Sequence, residues 1–230
     1  MKKLISVIAL SLVTTLFLSA FAQEGVKYFE RDFTKIDISS AFKAEITQGS
    51  SYRIEVFASE DDRDHVIIKK DGDELEISIK GMKSIKGEIM VKIQLPELNE
   101  LEISGAASVT LGDFQGESLN LELSGASSLQ GGLSYNSLRL ESSGASSVKL
   151  DGTTNSAKIY MSGASSLGTE GFKVKGELLL DCSGASKATL MADGDIYLEL
   201  SGASQFHYSG VGNILKQDLS GASSVKKKGE

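Results

Sequence analysis

A five-residue cassette, Ser-Gly-Ala-Ser-Ser or a close variant, returns along this chain with its first serine at Ser104, Ser124, Ser143, Ser162, Ser183, Ser201 and Ser220. The steps between copies are 20, 19, 19, 21, 18 and 19 residues. A period of this length signals a solenoid, and its variation excludes the strict heptad of a coiled coil.

Aligning the copies separates the side chains into columns. The residue before each cassette is Ile103, Leu123, Ser142, Met161, Cys182, Leu200 or Leu219, and two residues earlier stands Leu101, Leu121, Leu140, Ile159, Leu180, Leu198 or Gln217. Between these mostly apolar columns runs a polar one: Glu102, Glu122, Glu141, Tyr160, Asp181, Glu199 and Asp218. Alternation with period two is that of a half-buried strand. The cassette glycines Gly105, Gly125, Gly144, Gly163, Gly184, Gly202 and Gly221 suit a tight corner that needs positive φ or close backbone approach. A second inward column follows at Val109, Leu129, Val148, Leu167, Ala188, Phe206 and Val225, then another glycine-rich patch around Gly112, Gly131, Gly152, Gly168, Gly194 and Gly210. Two strands and two corners per repeat are therefore expected. Stacked in parallel about 4.8 Å apart, such coils form an all-β parallel β-helix with coils of about 19 residues, and only small residues fit at the stacked corners.

The chain before the array is less regular. Met1 to Ala22 reads as a secretory signal, with Lys2 and Lys3, an apolar run from Leu4 to Ala20, and Ala20-Phe21-Ala22 as the cleavage site. An uncleaved N-terminal anchor is the competing reading, because the apolar run is long for a signal. No other stretch is long and apolar enough to span a membrane. Residues 23–100 form a divergent β-rich portion capping the solenoid, and residues 101–230 the regular β-helix. Within the former, Asp71-Gly72 is a hairpin turn, Ser59 to His65 carries one helical turn, and Ile38-Ser39-Ser40-Ala41-Phe42 reads as a degenerate cassette with Ser40 in the glycine place. Pro96 marks a turn where the regular array begins.

Loss of the signal removes two lysines, leaving 22 basic against 31 acidic residues and a formal charge of −9. Nucleic acid is thereby disfavoured as a partner. With one cysteine there is no internal disulfide. Cys182 falls in an inward column and reads as a small core residue. The terminal Lys226-Lys227-Lys228 run either guards an open edge strand or meets an acidic partner.

Six carboxylates in the outward column, Glu102, Glu122, Glu141, Asp181, Glu199 and Asp218, would repel by about 0.9 kcal/mol per adjacent pair in bulk water. Arg139, Lys158 and Lys216 lie nearby as partial relief. The column reads as a solvated face, with a weak calcium ladder as the functional alternative; no dedicated metal site or cofactor is expected. Catalytic residues are not identified, since His65 and His207 lie apart in the sequence and the cassette serines repeat without a base nearby. Flat serine-rich repeats raise ice binding as a remote alternative.

The cassettes Ser-Gly-Ala-Ser-Ser at 124, 143, 162 and 220, strands such as Leu121-Glu122-Leu123, and the run Phe42-Lys43-Ala44-Glu45-Ile46-Thr47-Gln48-Gly49 resemble the secreted head GIN domain proteins of Bacteroidetes-like bacteria, described as autotransporter adhesins. The resemblance covers essentially the whole mature chain. It implies a right-handed β-helix without carried-over catalytic residues and a role in adhesion. The expectation is an exported, non-enzymatic binding protein, located in the periplasm, on the cell surface or outside the cell, whose partner is a glycan or a surface protein. A carbohydrate-active enzyme with its site in the divergent region or around Phe206, His207 and Tyr208 is one alternative. A structural or envelope-stress component of the periplasm is the other.

Overall fold

A computed structural model describes residues 25–81 and 85–228, so the expected signal sequence lies outside the described residues. In chain order the elements are β1 (Val26–Tyr28), β2 (Lys35–Ile38), β3 (Phe42–Gln48), β4 (Arg53–Phe57), α1 (Glu60–Arg63), β5 (Val66–Asp71), β6 (Glu74–Ile79), β7 (Ile89–Leu95), β8 (Glu100–Ile103), β9 (Ser108–Leu123), β10 (Ser128–Ser142), β11 (Ser147–Met161), β12 (Ser166–Val174), β13 (Leu178–Cys182), β14 (Lys187–Ala192), β15 (Asp195–Leu200), β16 (Gln205–Ser209), β17 (Asn213–Leu219) and β18 (Ser224–Lys227). They build a β-solenoid of about 7 turns with coils of about 19 residues.

Two rows of parallel strands follow from the alternation in the sequence. One runs β6, β2, β8, then the second halves of β9, β10 and β11, then β13, β15 and β17. The other runs β7, β3, the first halves of β9, β10 and β11, then β12, β14, β16 and β18. Both inward columns are buried up to the last coil.

Chain order and stacking order differ at the N-terminal end. The β2–β3 coil lies between the β6–β7 coil and the β8–β9 coil. The chain thus lays down an inner coil first, leaves through β4, α1 and β5, and returns to place β6 and β7 outside it. Antiparallel strands finish this end, β5 on β6, β4 on β7 and β1 on β4. Ser59 caps α1, with its hydroxyl accepting from the Asp62 N–H, as an N-cap serine should. Asp62 in turn accepts the backbone N–H groups of Lys86 and Gly87, each at 3.0 Å.

Uneven cassette spacing is absorbed by local bulges. The β9–β10 register shifts between Gly131 and Leu133, β11–β12 between Val148 and Gly152, β12–β14 between Gly168 and Lys173, and β15–β17 between Ile196 and Tyr197. The β10–β11 pair keeps one register from Ser128↔Ser147 to Ser142↔Met161. The last residues before the cassettes therefore stay aligned, as from Tyr197↔Lys216 to Leu200↔Leu219, while other parts of the coil vary.

The expected second corner needs correction. Hydrogen bonding continues through β9, β10 and β11, and the second set of glycines forms no single column. Gly131 pairs with Leu150, Gly152 with Leu133, and Gly168 with Thr189, while Gly194 stacks on Gly176. The inward alternation breaks instead between Tyr135 and Leu138 and between Thr154 and Ala157, at Asn136 and Asn155. There the Asn155 side-chain amide donates to Asn136 Oδ1 at 2.6 Å.

At the C-terminal end the inner columns meet solvent. Leu215 is the bulged residue of β17 and is 58% exposed, Leu219 is 42% exposed, and Gln217 occupies the place that Leu198 holds one coil earlier.

Candidate functional site

The strand before each cassette but that at Ser162, where Tyr160 stands, turns one carboxylate outward, and the corner that follows turns the first cassette serine outward beside it. Repeated coil upon coil, the two columns enclose a groove of about 310 Å³ lined by Glu102, Glu122, Glu141 and Asp181, by Ser124, Ser143, Ser162 and Ser183, and by the ring of Tyr160. The register joins the expected acidic column into one ladder, from Glu102 through Glu122, Glu141, Tyr160, Asp181 and Glu199 to Asp218. It also extends the ladder beyond the regular spacing, since Asp37 pairs with Glu102 on one side and Glu76 on the other.

Electrostatics set the character of this face. Burial, then the neighbouring Glu74 and Glu76, holds the Asp37 carboxyl above the usual carboxylate range. Burial, then Asp37 and Glu122, does the same to Glu102. Relief comes from within single strands: Asn120 Nδ2 donates to Glu122 at 3.0 Å, Arg139 pairs with Glu141, and Lys216 pairs with Asp218 at 3.0 Å. Each helper stands two residues before its carboxylate and so on the same face. The Arg139 guanidinium also lies 4.7 Å from the centre of the Tyr160 ring, a cation–π geometry. Lys158 forms no ion pair among the described residues, which corrects its expected part in relieving the column.

The calcium-ladder reading fits this geometry poorly. Calcium takes 6–8 oxygens at about 2.3–2.6 Å, whereas a single column offers two carboxylates to each gap between coils. Among the described residues no group of three or more His, Cys, Asp or Glu side chains is arranged to hold a metal ion.

All seven cassette glycines have φ between 71° and 74°. A Cβ on Gly144 would stand 2.5 Å from the carbonyl oxygen of Gly125 and 3.0 Å from its nitrogen. The carbonyl of each corner glycine accepts the N–H of the alanine one coil on, as in Ala145 to Gly125 at 2.8 Å. Ser40 has φ 82°, and Ala106 donates to its carbonyl at 3.1 Å. The cassette serines do three jobs. The first lines the groove. The fourth points inward, and in the last three copies it closes its own corner, Ser186, Ser204 and Ser223 donating to the carbonyls of Ser183, Ser201 and Ser220 at 2.9, 2.7 and 2.8 Å. The fifth forms an outward ladder, Ser128 to Ser108 at 3.0 Å.

The remaining candidates separate. Cys182 is fully buried, and burial pushes its thiol up to about 12. Phe206 and Tyr208 face inward, stacked with centroids 5.4 Å apart, so of the expected aromatic patch only His207 reaches the surface. One link was not expected: the buried Tyr135 hydroxyl donates to the Leu98 carbonyl at 2.7 Å, tying a regular coil to the turn after Pro96.

The family described as "Putative auto-transporter adhesin, head GIN domain" matches residues 32–212. Among solved structures, a "putative adhesin" from Bacteroides fragilis superposes with TM-score 0.82 at 20% identity, over 89% of this chain and 96% of that one. A "putative lipid binding protein" from Parabacteroides distasonis gives 0.68 at 17% identity, over 89% and 96%. A "putative adhesin" from Parabacteroides merdae gives 0.59 at 17% identity, over 89% and 95%. At these identities the likeness concerns the fold alone. A comparison with curated proteins finds no match. With the family's pattern spanning most of its length and the cassette column at its centre, the chain belongs to the auto-transporter adhesin, head GIN domain family.

Proposed function

We propose that this protein is an extracytoplasmic, non-enzymatic binding protein that acts in adhesion through its outer faces. The observation that carries the reading is the groove in which a cassette hydroxyl recurs on successive coils beside a carboxylate, with Tyr160 in the carboxylate's place on one of them. A surface that repeats every coil offers many equal weak contacts to a long or repetitive partner, and linked weak contacts gain strength by effective concentration. The adhesin family supports the same role. Export through Met1–Ala22 would bring the chain to that partner, and no helix among the described residues is long and apolar enough to cross a membrane.

The test is a binding screen of the purified protein against immobilised glycans and surface proteins, with and without calcium, while released sugar is assayed in the supernatant. Retention without sugar release is the expected result. Release of sugar, abolished by substitution of a local acid in a folded variant, would replace adhesion with carbohydrate cleavage. Terminal sequencing of the exported protein is expected to begin at Gln23.

A further inference from the structure

The last two strands end the stack in different ways. Among the described residues β17 pairs with β15 alone and β18 with β16 alone. Lys226 and Lys227 on β18 are side chains that discourage an edge from pairing. On β17 the one cation, Lys216, is balanced by Asp218 at 3.0 Å on the outward side. The inward side of β17 carries Leu215, Gln217 and Leu219, with the two leucines 58% and 42% exposed.

The backbone of β17 restricts how another strand can add to it. Alternate residues of a strand direct their N–H and C=O groups to opposite edges. Ser220 donates to the Leu200 carbonyl at 2.9 Å, so Ser220, Asp218 and Lys216 face β15, and the backbone groups of Gln217 and Leu219 face the open edge. An antiparallel partner must set its own edge-facing residues against these. A second copy of β17 does so with Gln217 opposite Gln217 on a two-fold axis. Leu215 then stands opposite Leu219 twice, covering the exposed leucines, and Lys216 opposite Asp218 twice. Sliding one strand by two residues instead sets Lys216 against Lys216 or Asp218 against Asp218, and in-register parallel pairing does both. Among these registers one alone is matched in charge and in apolar contact.

We propose that the protein forms a two-fold dimer through its C-terminal end, β17 of one copy pairing antiparallel with β17 of the other about Gln217. An isologous contact needs a self-complementary surface, and this strand provides one, which selects a second copy over an unrelated strand. Because such a contact uses the same edge on both copies, assembly closes at two. Lys226 and Lys227 of the two copies repel and hold the β18 edges apart, leaving β17 to carry the contact. The dimer goes beyond the binding role proposed above: it sets the acidic faces of two copies side by side and doubles the repeated contacts offered to a long partner.

Sedimentation equilibrium of the purified protein over a range of concentrations reads the assembly. A monomer–dimer equilibrium is expected, with no larger species. Lys216→Asp sets Asp against Asp at both places and Asp218→Lys sets Lys against Lys, so each should weaken dimerisation about thirtyfold, two exposed ion pairs having been reversed in sign. Mixed together, these two variants regain opposite charges at both places and should form a heterodimer at close to the original affinity. The chain carrying both substitutions should again dimerise by itself. Lys158→Asp, away from the end, should change dimerisation by less than about twofold. Thermal melts check that each variant folds. A monomer up to the solubility limit overturns the proposal, as does a dimer indifferent to both charge reversals. Folded single variants that stay monomeric when mixed also overturn it, and so do assemblies that keep growing with concentration.

Discussion

At the scale of single residues, the corner glycine is where the stack is tightest. Any side chain at Gly144 must adopt a left-handed backbone, costing about 1–2 kcal/mol, and must also displace the backbone of the coil below. Gly144→Ala should therefore lower the melting temperature by about 5–15 °C, taking about 2–4 °C per kcal/mol for a chain of this size. Ser40 shows the exception. The glycine positions point their missing Cβ at the previous corner, but the sequence between β6 and β7, the strands paired with β2 and β3 on the outer side, carries no cassette. Ser40→Gly should leave the melting temperature nearly unchanged, and calorimetry of the two variants checks both statements. Tyr135→Phe is a third case. It leaves the Leu98 carbonyl without its buried donor, which should cost about 1–3 kcal/mol in denaturant titrations.

At the scale of elements, the strands before the cassettes trade stability for a charged face. Asp37 and Glu102 are held above the usual carboxylate range, by burial first and by neighbouring carboxylates second. A group raised in the folded state contributes stability that is present below its unfolded pKa and is lost as pH rises through the folded value. The melting temperature should accordingly rise as pH falls from neutral toward the ordinary carboxylate range. Asp62 and Asp193 act in the opposite sense. The Lys86 N–H lowers the first and the Lys173 ammonium the second, so their contribution is present above the ordinary carboxylate pKa and fails only on stronger acidification. Glu102→Gln should raise the stability at neutral pH by less than about 1 kcal/mol after solvent screening, and should flatten the rise on acidification. Scans at several pH values decide this. Much of this face was readable beforehand, because alternation around a fixed glycine needs only local spacing. Asp37 stands two residues before the degenerate cassette at Ser39, as Glu102 stands before Ser104, and so carried a local signal, whereas Glu76 was missed because its place depends on the β6–β7 coil lying outside the β2–β3 coil, and long-range stacking leaves no local period. The bend at Asn136 and Asn155 went unseen because two polar residues on an outer surface look like any others, whereas Phe206 stood in the expected inward column and Tyr208, two residues on, shares its parity and its burial.

For the whole molecule, nearest-neighbour stacking makes the solenoid modular. The β10–β11 pair holds one register throughout, so residues 143–161 form a coil that can be removed without disturbing the alignment of its neighbours. After that deletion Ser142 leads directly into the cassette at Ser162. Leu129 then stacks under Leu167 and Leu140 under Leu180, each apolar residue meeting another in the same column. The shortened protein should keep its strand content and cooperative unfolding, with a denaturant slope smaller by about a tenth, since that slope follows the surface exposed. Deleting 143–160 instead retains Met161 and shifts the strand before the cassette by one residue. A shift of one turns the inward columns outward, and the observed bulges lie away from the residues that lead directly into the cassette. That variant should lose far more stability than the longer deletion. If the two deletions unfold at the same denaturant concentration, alignment of the pre-cassette strand is not what holds the stack together.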